Sequence, residues 1–150
     1  METPSLQFDK PSAMDRFFNR AFGLLVRIGL GLAHNYLLEV RGRKSGRTYS
    51  TPVNLLDFEG KQYLVAPRGY TQWVRNVVAN GEASLVRGSK RRQVSLKPID
   101  DEAKADILKE YLDRYKTTVQ RYFPIRAGSP VEVFRPLAAR YPVFEVLTRQ

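Results

Sequence analysis

Arg41-Gly-Arg-Lys-Ser-Gly-Arg47, followed at once by Thr48-Tyr-Ser-Thr-Pro-Val-Asn54, is the stretch that decides the fold of this chain. Residues 37–40 predict the end of one strand and residues 48–58 predict a second, longer strand, so the segment between them is a hairpin loop. That loop carries four cations and no acid. It can offer cations and, at its glycines, open backbone N–H groups, and an anion such as a phosphate requires both. The spacing of a P-loop is absent, and a solvated basic turn is the alternative interpretation.

The composition limits the class of protein. A chain of 150 residues, 43% of them hydrophobic, is long and apolar enough for one domain with a buried core. It has no cysteine, which excludes disulfides, dithiol redox chemistry and iron–sulfur ligation. With a single histidine in the sequence, no catalytic metal site is predicted. The formal net charge of +10 indicates an anionic partner, which is nucleic acid, anionic lipid or a polyanionic cofactor.

The first part of the chain divides into a polar tail and an apolar helix. Residues 1–13 are predicted to be a disordered tail, and residues 14–150 a single domain that begins with an amphipathic helix over 14–34. Arg16, Arg20 and Arg27 share one face of that helix. The uninterrupted apolar run of the helix is too short to span a bilayer, and Arg27 breaks it, so the helix either packs on the core or lies in a membrane interface. His34, at its end, is interpreted as a C-terminal cap, with a catalytic role as the alternative.

The remaining segments predict strands joined by hairpins. A strand is expected over 62–66, then a short helix over 72–79 that starts after Thr71 and is closed by Asn80-Gly81. A strongly basic hairpin comes next, with strands over 83–87 and 91–99.

A second, long helix is predicted from Asp100 to about Tyr122, and a final strand over 141–148. Pro136 leaves residues 131–140 unassigned. The long helix carries one apolar stripe, formed by Leu108, Leu112, Tyr115, Val119 and Tyr122. Sequential hairpins with few helices predict an antiparallel barrel of six or seven strands with the long helix packed on it.

Four pieces of sequence, in this order, resemble one known family. They are Gly-Arg-Lys-Ser-Gly with Ser50-Thr-Pro-Val-Asn54, the hairpin Asp57-Phe-Glu-Gly-Lys61, Leu64-Val-Ala-Pro-Arg-Gly69, and Trp73-Val-Arg-Asn76 with Ala79-Asn-Gly81. No single piece is specific, but the ordered set resembles the deazaflavin-dependent nitroreductase family. The resemblance runs from about residue 37 to the C-terminus. It implies a mainly β fold with flanking helices, the split β-barrel of the FMN-binding and flavin-reductase type.

The same resemblance implies an oxidoreductase. It would transfer a hydride from reduced coenzyme F420, an 8-hydroxy-5-deazaflavin, to a quinone, enone or nitro-type acceptor. In such an enzyme the cofactor supplies the reaction and the protein supplies orientation, electrostatics and exclusion of water. A basic nucleic-acid-binding module is one alternative, although the sequence contains no recognised nucleic-acid-binding motif, and the same barrel holding FMN or haem is another. The expected partners are the deazaflavin, a small apolar acceptor and an anionic membrane surface, with the protein free in the cytoplasm or peripheral on the inner face of the membrane.

Binding residues are implied by the resemblance position by position. Those expected to meet the anionic tail of the cofactor are Arg43, Lys44 and Ser45. Those expected beside the phosphate and the ring are Ser50, Thr51, Pro52, Val53 and Asn54. Those expected to edge the deazaflavin are Ala66, Pro67, Arg68 and Gly69, with Arg68 as a second anion contact. Those expected from the short helix are Trp73, Val74 and Asn76.

Two of these residues have other interpretations, since Trp73 would also suit the core and Arg68 a solvated loop. No catalytic residue is assigned. The nitroreductase proper has a Ser-Lys pair in place of Pro67-Arg68 and a tyrosine in place of Val131.

Overall fold

Six antiparallel strands close into a barrel in the order β1-β2-β3-β6-β5-β4. The computed structural model describes residues 34–149, so the tail over 1–13 and nearly all of the helix predicted over 14–34 lie outside the described residues. The strands are β1 Asn35–Arg41, β2 Thr48–Phe58, β3 Lys61–Val65, β4 Glu82–Arg87, β5 Lys90–Pro98 and β6 Val143–Thr148. Helix α1, Gln72–Asn80, joins β3 to β4, and helix α2, Ala105–Val119, lies between β5 and β6. The barrel and its hairpins are therefore as predicted.

The barrel interior is filled by one face of each strand. Alternate residues of a strand point to opposite faces, and the inward set includes Leu38, Val40, Leu55, Leu64, Leu85, Val94 and Phe144. Helix α1 packs into the same cluster through Val74 and Val77. Each fully buried side chain of this kind contributes about 1.5–3 kcal/mol relative to an exposed one. The barrel core therefore fixes where α1 lies.

A second apolar layer forms on the outside of the barrel, where α2 packs. Leu56, Tyr63 and Val65 face outward into a cluster with the helix. Of the predicted stripe, Leu108, Leu112, Tyr115 and Val119 are buried, whereas Tyr122 is half-buried. The Tyr115 hydroxyl donates a hydrogen bond of 2.8 Å to the carbonyl of Leu55, which attaches α2 to β2.

The long helix is shorter than predicted at both ends. Asp101–Ala103 is a separate 3-10 turn, and Gln120–Tyr122 is another after α2 ends. The break at the start coincides with Lys104, whose buried ammonium group lies 2.7 Å from the Asp101 carboxylate and donates to the carbonyl of Ala138. That carbonyl belongs to Val131–Arg140, the unassigned segment, which folds as 3-10 turns. None of the helices within residues 34–149 is both long and apolar enough to cross a bilayer.

The predicted cap residues of α1 are confirmed at both ends. Gly81 adopts the left-handed conformation at φ 73° and its N–H donates to the carbonyl of Val77, so the helix ends as expected. Thr71 occupies the N-cap position, but its hydroxyl makes no capping hydrogen bond. Thr71 therefore precedes the helix as predicted, without capping it through its side chain.

His34 lies immediately before β1, beneath α2. Its carbonyl accepts a hydrogen bond from the N–H of Leu55, and its ring lies 4.5 Å from the ring of Tyr115. Burial lowers the pKa of His34 below its usual value, and the positive charges of Arg87 and Arg114 lower it further. The imidazole is therefore a neutral packing group at pH 7. The helix that it was expected to cap lies outside the described residues.

Candidate functional site

The loop between β1 and β2, residues 42–47, is held by its own hydrogen bonds. The N–H of Gly42 donates to the carbonyl of Arg47 at 2.7 Å, and the N–H of Gly46 donates to the carbonyl of Gly42 at 3.1 Å. The Ser45 hydroxyl accepts from the N–H of Arg47 at 3.2 Å. The expectation that the glycines supply open N–H groups is therefore wrong, because closing the loop uses both of them.

The open donors of this loop are at its tip. Among the hydrogen bonds of residues 34–149, none uses the backbone N–H of Lys44 or of Ser45. Both residues are exposed, and so is Arg47. Two adjacent N–H groups beside exposed cations are donors of the kind that suits an anion. The anion site predicted for this loop stays a prediction, and its open backbone donors would be those of Lys44 and Ser45 and not those of the glycines.

Arg43 points away from that tip and onto α1. Its backbone N–H donates to Asn76 Oδ1 at 3.1 Å, and its guanidinium Nη1 donates to the same oxygen at 2.9 Å. The same Nη1 also donates to Gln72 Oε1 at 3.0 Å. In the described chain, this guanidinium is thus engaged by side-chain amides, although the resemblance had placed Arg43 beside the cofactor tail.

One face of α1 carries the amides that meet this loop. Gln72, Asn76 and Asn80 are four residues apart and so lie on the same side of the helix. Asn80 Nδ2 donates to the carbonyl of Arg41 at 2.6 Å, at the point where β1 enters the loop. Sequence reasoning named only Asn76 of the three. The repeat of amide side chains at four-residue steps was the signal that could have found the other two.

Tyr49 is a third residue of the site that the sequence analysis missed. A Cβ atom on Gly42 would lie 2.6 Å from Cε2 of the Tyr49 ring, so this ring packs directly on the glycine. The Tyr49 hydroxyl is 3.5 Å from Ser45 Oγ. Gly42 is thus needed for a close approach, and the aromatic ring forms one wall of the loop.

The predicted residues of β2 divide between the two faces of the strand. Thr51 pairs with Leu38, which faces the barrel core, so Thr51 and Val53 are on the inward face. Ser50, Pro52 and Asn54 alternate with them on the outer face. The side chains of these five residues therefore point to two different faces of the strand.

Asn54 is held by a side-chain hydrogen bond on that outer face. It accepts a hydrogen bond of 2.7 Å from Asn35 Nδ2. Burial raises the pKa of the nearby Tyr111 phenol far above its usual value, an effect that the Asn54 side chain partly offsets. Tyr111 therefore remains a neutral phenol, and the Asn54 amide has a defined orientation.

The segment after β3 is a tight turn that ends at a glycine. Ala66 is buried and its N–H donates to the carbonyl of Pro142, while Gly69 has a φ of +83° and bonds back to Ala66. Pro67 and Arg68 are half-buried, and the Arg68 guanidinium lies 5.8 Å from the centre of the Tyr122 ring. The alternative of a solvated loop cation is therefore wrong for Arg68, which packs against the α2 layer.

The residues predicted at the start of α1 also divide. Val74 is 0% exposed within the barrel core. Trp73 is half-buried and packs on the same cluster, with its ring centroid 6.0 Å from that of Phe144. Only Asn76 of this group contacts the β1–β2 loop. The structure thus joins Arg43 to Asn76 and leaves Trp73 and Val74 in packing positions.

Two other kinds of site find little support in the described chain. Residues 34–149 contain no group of three or more His, Cys, Asp or Glu side chains that could hold a metal ion. In the basic hairpin, Arg91 pairs with Glu39 at 2.8 Å and Arg92 bonds to Gln62. Arg87 donates to the carbonyl of Asn35 at 2.8 Å. Much of this positive charge is therefore used within the barrel.

Comparisons with known structures identify the fold of this chain. The structure is similar to that of an F420-H2 dependent reductase, FDR-A, with a TM-score of 0.51 at 21% identity over 76% of this chain and 94% of that one. It is also similar to a FAD-binding protein from Mesorhizobium loti, with a TM-score of 0.51 at 14% identity over 93% of this chain and 91% of that one. Likenesses at this identity show the fold, which is a split β-barrel.

The family is established by the sequence. The model of the F420H(2)-dependent quinone reductase family matches residues 15–130, which is more than half of the chain. This protein therefore belongs to that family, and it is an oxidoreductase whose cofactor is coenzyme F420. No match was found among curated proteins. The loop fits such a cofactor, because its open N–H groups and exposed cations suit the anionic tail.

Proposed function

We propose that this protein reduces an apolar quinone with a hydride from reduced coenzyme F420, whose anionic tail lies on the β1–β2 loop. The observation that carries the proposal is the pair of open backbone donors at Lys44 and Ser45, flanked by exposed cations. Membership of a quinone reductase family supports the acceptor class. An enone or a nitro compound would be an alternative acceptor at the same site.

The loop tip provides the contacts that the cofactor tail requires. That tail carries a phosphate and several carboxylates. A phosphate oxygen would accept from the N–H groups of Lys44 and Ser45, while the Lys44 ammonium and the Arg47 guanidinium face the same charge. Hydrogen bonds between charged groups are about twice as strong as neutral ones. Because the loop is exposed, the contribution of the side chains depends on ionic strength.

We place the ring system beside the outer face of β2. Ser50, Pro52 and Asn54 would border it there, and the turn Ala66–Gly69 would lie at its edge. Asn54 suits this position because its hydrogen bond from Asn35 orients the amide in advance of ligand binding. The inward-facing Thr51 and Val53, together with Trp73 and Val74, would support the site from the core.

The protein's task in the reaction is to orient the reactants. When bound, the reduced deazaflavin supplies a hydride and does not readily undergo one-electron chemistry. Holding the donor and acceptor in contact lowers the barrier by several kcal/mol without a catalytic side chain. Asn54 and the rigid turn at Gly69 fix the surface against which both groups would lie. Because the cofactor supplies the reaction and the protein the orientation, no catalytic triad or set of metal ligands is needed.

Attachment to a membrane is a finer proposal that rests on sequence alone. Arg16, Arg20 and Arg27 lie outside the described residues, and each cation near an anionic surface contributes about 1 kcal/mol. A quinone dissolved in lipid would be reached most easily from such a surface. We propose that the full chain co-sediments with anionic vesicles at low salt, and that replacing the three arginines with glutamine abolishes this. Equal sedimentation of both proteins would contradict it.

The experiment that tests the main proposal is a pair of titrations followed by turnover. Fluorescence should show tight binding of coenzyme F420 and weaker binding of its deazaflavin riboside fragment, which lacks the anionic tail. Oxidation of reduced coenzyme F420 by menadione, followed by absorbance, should then require the protein. Binding of FMN but not coenzyme F420, or a purified protein coloured by flavin or haem, would overturn the proposal. Tight binding of duplex DNA with no cofactor binding would favour the nucleic-acid alternative.

A further inference from the structure

Asn76 of α1 accepts two hydrogen bonds from the β1–β2 loop. Its Oδ1 accepts from both the backbone N–H and the guanidinium of Arg43, at 3.1 and 2.9 Å. The side chain is 4% exposed, which is unusual for an amide. Asn76 and Arg43 are 33 residues apart in sequence, so this is a tertiary contact and not part of a local turn.

The position of these bonds matters because Arg43 immediately precedes Lys44 and Ser45, which carry the open N–H groups. Fixing the backbone N–H of Arg43 on a rigid helix therefore fixes the direction of the next two peptide groups. Asn80 fixes the other side of Arg43, through the carbonyl of Arg41. Together these bonds hold one limb of the loop against α1.

We infer that Asn76 is a positioning residue that holds the anion-binding loop in its binding conformation, and that Arg43 is its tether to the helix and not a ligand of the anion. This inference rests on the proposed function, since the anion is the cofactor tail. Its physical basis is that affinity falls in proportion to the fraction of molecules in the competent conformation. Without the tether, the loop would divide its time among conformations in which the Lys44 and Ser45 N–H groups diverge.

The test is a double-mutant cycle with Asn76→Ala and Arg43→Ala. Each single variant should weaken binding of coenzyme F420 by about five- to thirtyfold, the loss expected when about one charge-assisted hydrogen bond no longer orders the loop. The double variant should bind within about twofold of Asn76→Ala alone, because Asn76→Ala already removes both hydrogen bonds from Arg43 and Arg43→Ala removes only the guanidinium bond. Binding of the riboside fragment should change by less than about twofold. Losses that multiply in the double variant would mean that Arg43 contacts the tail independently, and would overturn the inference.

Two further measurements distinguish a tether from a general loss of structure. Asn76→Asp keeps the acceptor oxygens for Arg43 and should retain most of the affinity that Asn76→Ala loses. The loss in Arg43→Ala should persist at high salt, whereas the loss of a direct ion pair would shrink. An Arg43→Ala effect that disappears at high salt, or an equal loss for the riboside fragment, would overturn the inference. The salt dependence and the riboside binding of Arg43→Ala can be measured even if Asn76→Ala does not fold.

An independent readout separates this inference from the proposed cofactor. In wild-type protein, inorganic phosphate should shift the amide resonances of Lys44 and Ser45 in ¹H–¹⁵N spectra. The shifts should be smaller in Asn76→Ala at equal phosphate concentration. If coenzyme F420 does not bind to wild-type protein, the proposed function fails, but the phosphate shifts still test the tether. Shifts of equal size in both proteins would refute it.

Discussion

Replacing Lys44 with alanine should weaken cofactor binding through charge and not through folding. Lys44 is exposed at the loop tip and makes no hydrogen bond or ion pair within residues 34–149, so its removal leaves the described contacts intact. A charge-assisted hydrogen bond is worth about 1.5–3 kcal/mol, and exposure places this one near the lower end. We therefore expect a loss of about 1–2 kcal/mol, which is roughly 5- to 30-fold in Kd. The neighbouring backbone donors remain, so binding is reduced and not abolished.

The assay is fluorescence titration of the variant with coenzyme F420 and with the tail-less riboside at two salt concentrations. Lys90→Ala is the matched control, because Lys90 is also exposed but lies at the β4–β5 turn, at the other end of the barrel. In about 0.5 M salt the loss of affinity in Lys44→Ala should shrink to less than about threefold, because charges then interact over only a few ångströms. An equal loss for the riboside, or for Lys90→Ala, would refute the reasoning that places the tail on this loop.

Three further predictions concern stability and the loop. Asp101→Ala should lower the free energy of unfolding in urea by about 1–3 kcal/mol, because it leaves the buried Lys104 ammonium without its carboxylate. The low end of this range allows for the 55% exposure of Asp101. Lys104→Met should cost less than about 1 kcal/mol, and a larger loss in Lys104→Met than in Asp101→Ala would contradict this account. His34 has a lowered pKa, so the unfolded chain takes up a proton below pH 6.5 that the folded chain does not yet bind, and stability should fall as pH drops from 6.5. In His34→Gln this fall in stability below pH 6.5 should be absent. An unchanged dependence of stability on pH in His34→Gln would refute the role given to His34. Gly42→Ala should displace the Tyr49 ring, because the new Cβ would lie 2.6 Å from it. The displacement should change the Tyr49 ring resonances and weaken the binding of coenzyme F420. Unchanged spectra would show that the ring does not pack on Gly42.

Local patterns in the sequence determined the barrel and its hairpins. The turn at Glu59-Gly60 has positive φ at both residues, 51° and 78°, and it joins β2 to β3 at the position predicted from the sequence. The bounds of β2 agree with the prediction because apolar alternation and flanking turns act over a few residues. The stripe on α2 was also visible, since it repeats at helical spacing. The basic loop indicated an anion site from composition alone.

The tertiary structure decided how that loop works. The glycine N–H groups are consumed inside the loop, and Arg43 is bound to a helix that begins 29 residues later in the chain. The predicted helix begins only after Lys104, whose hydrogen-bond partners include a carbonyl 34 residues away. Alternation on β2 was predictable, but which of its faces meets α2 was not. Periodicity reports which residues share a face, whereas the partner of a hydrogen bond depends on which distant segment the barrel brings alongside.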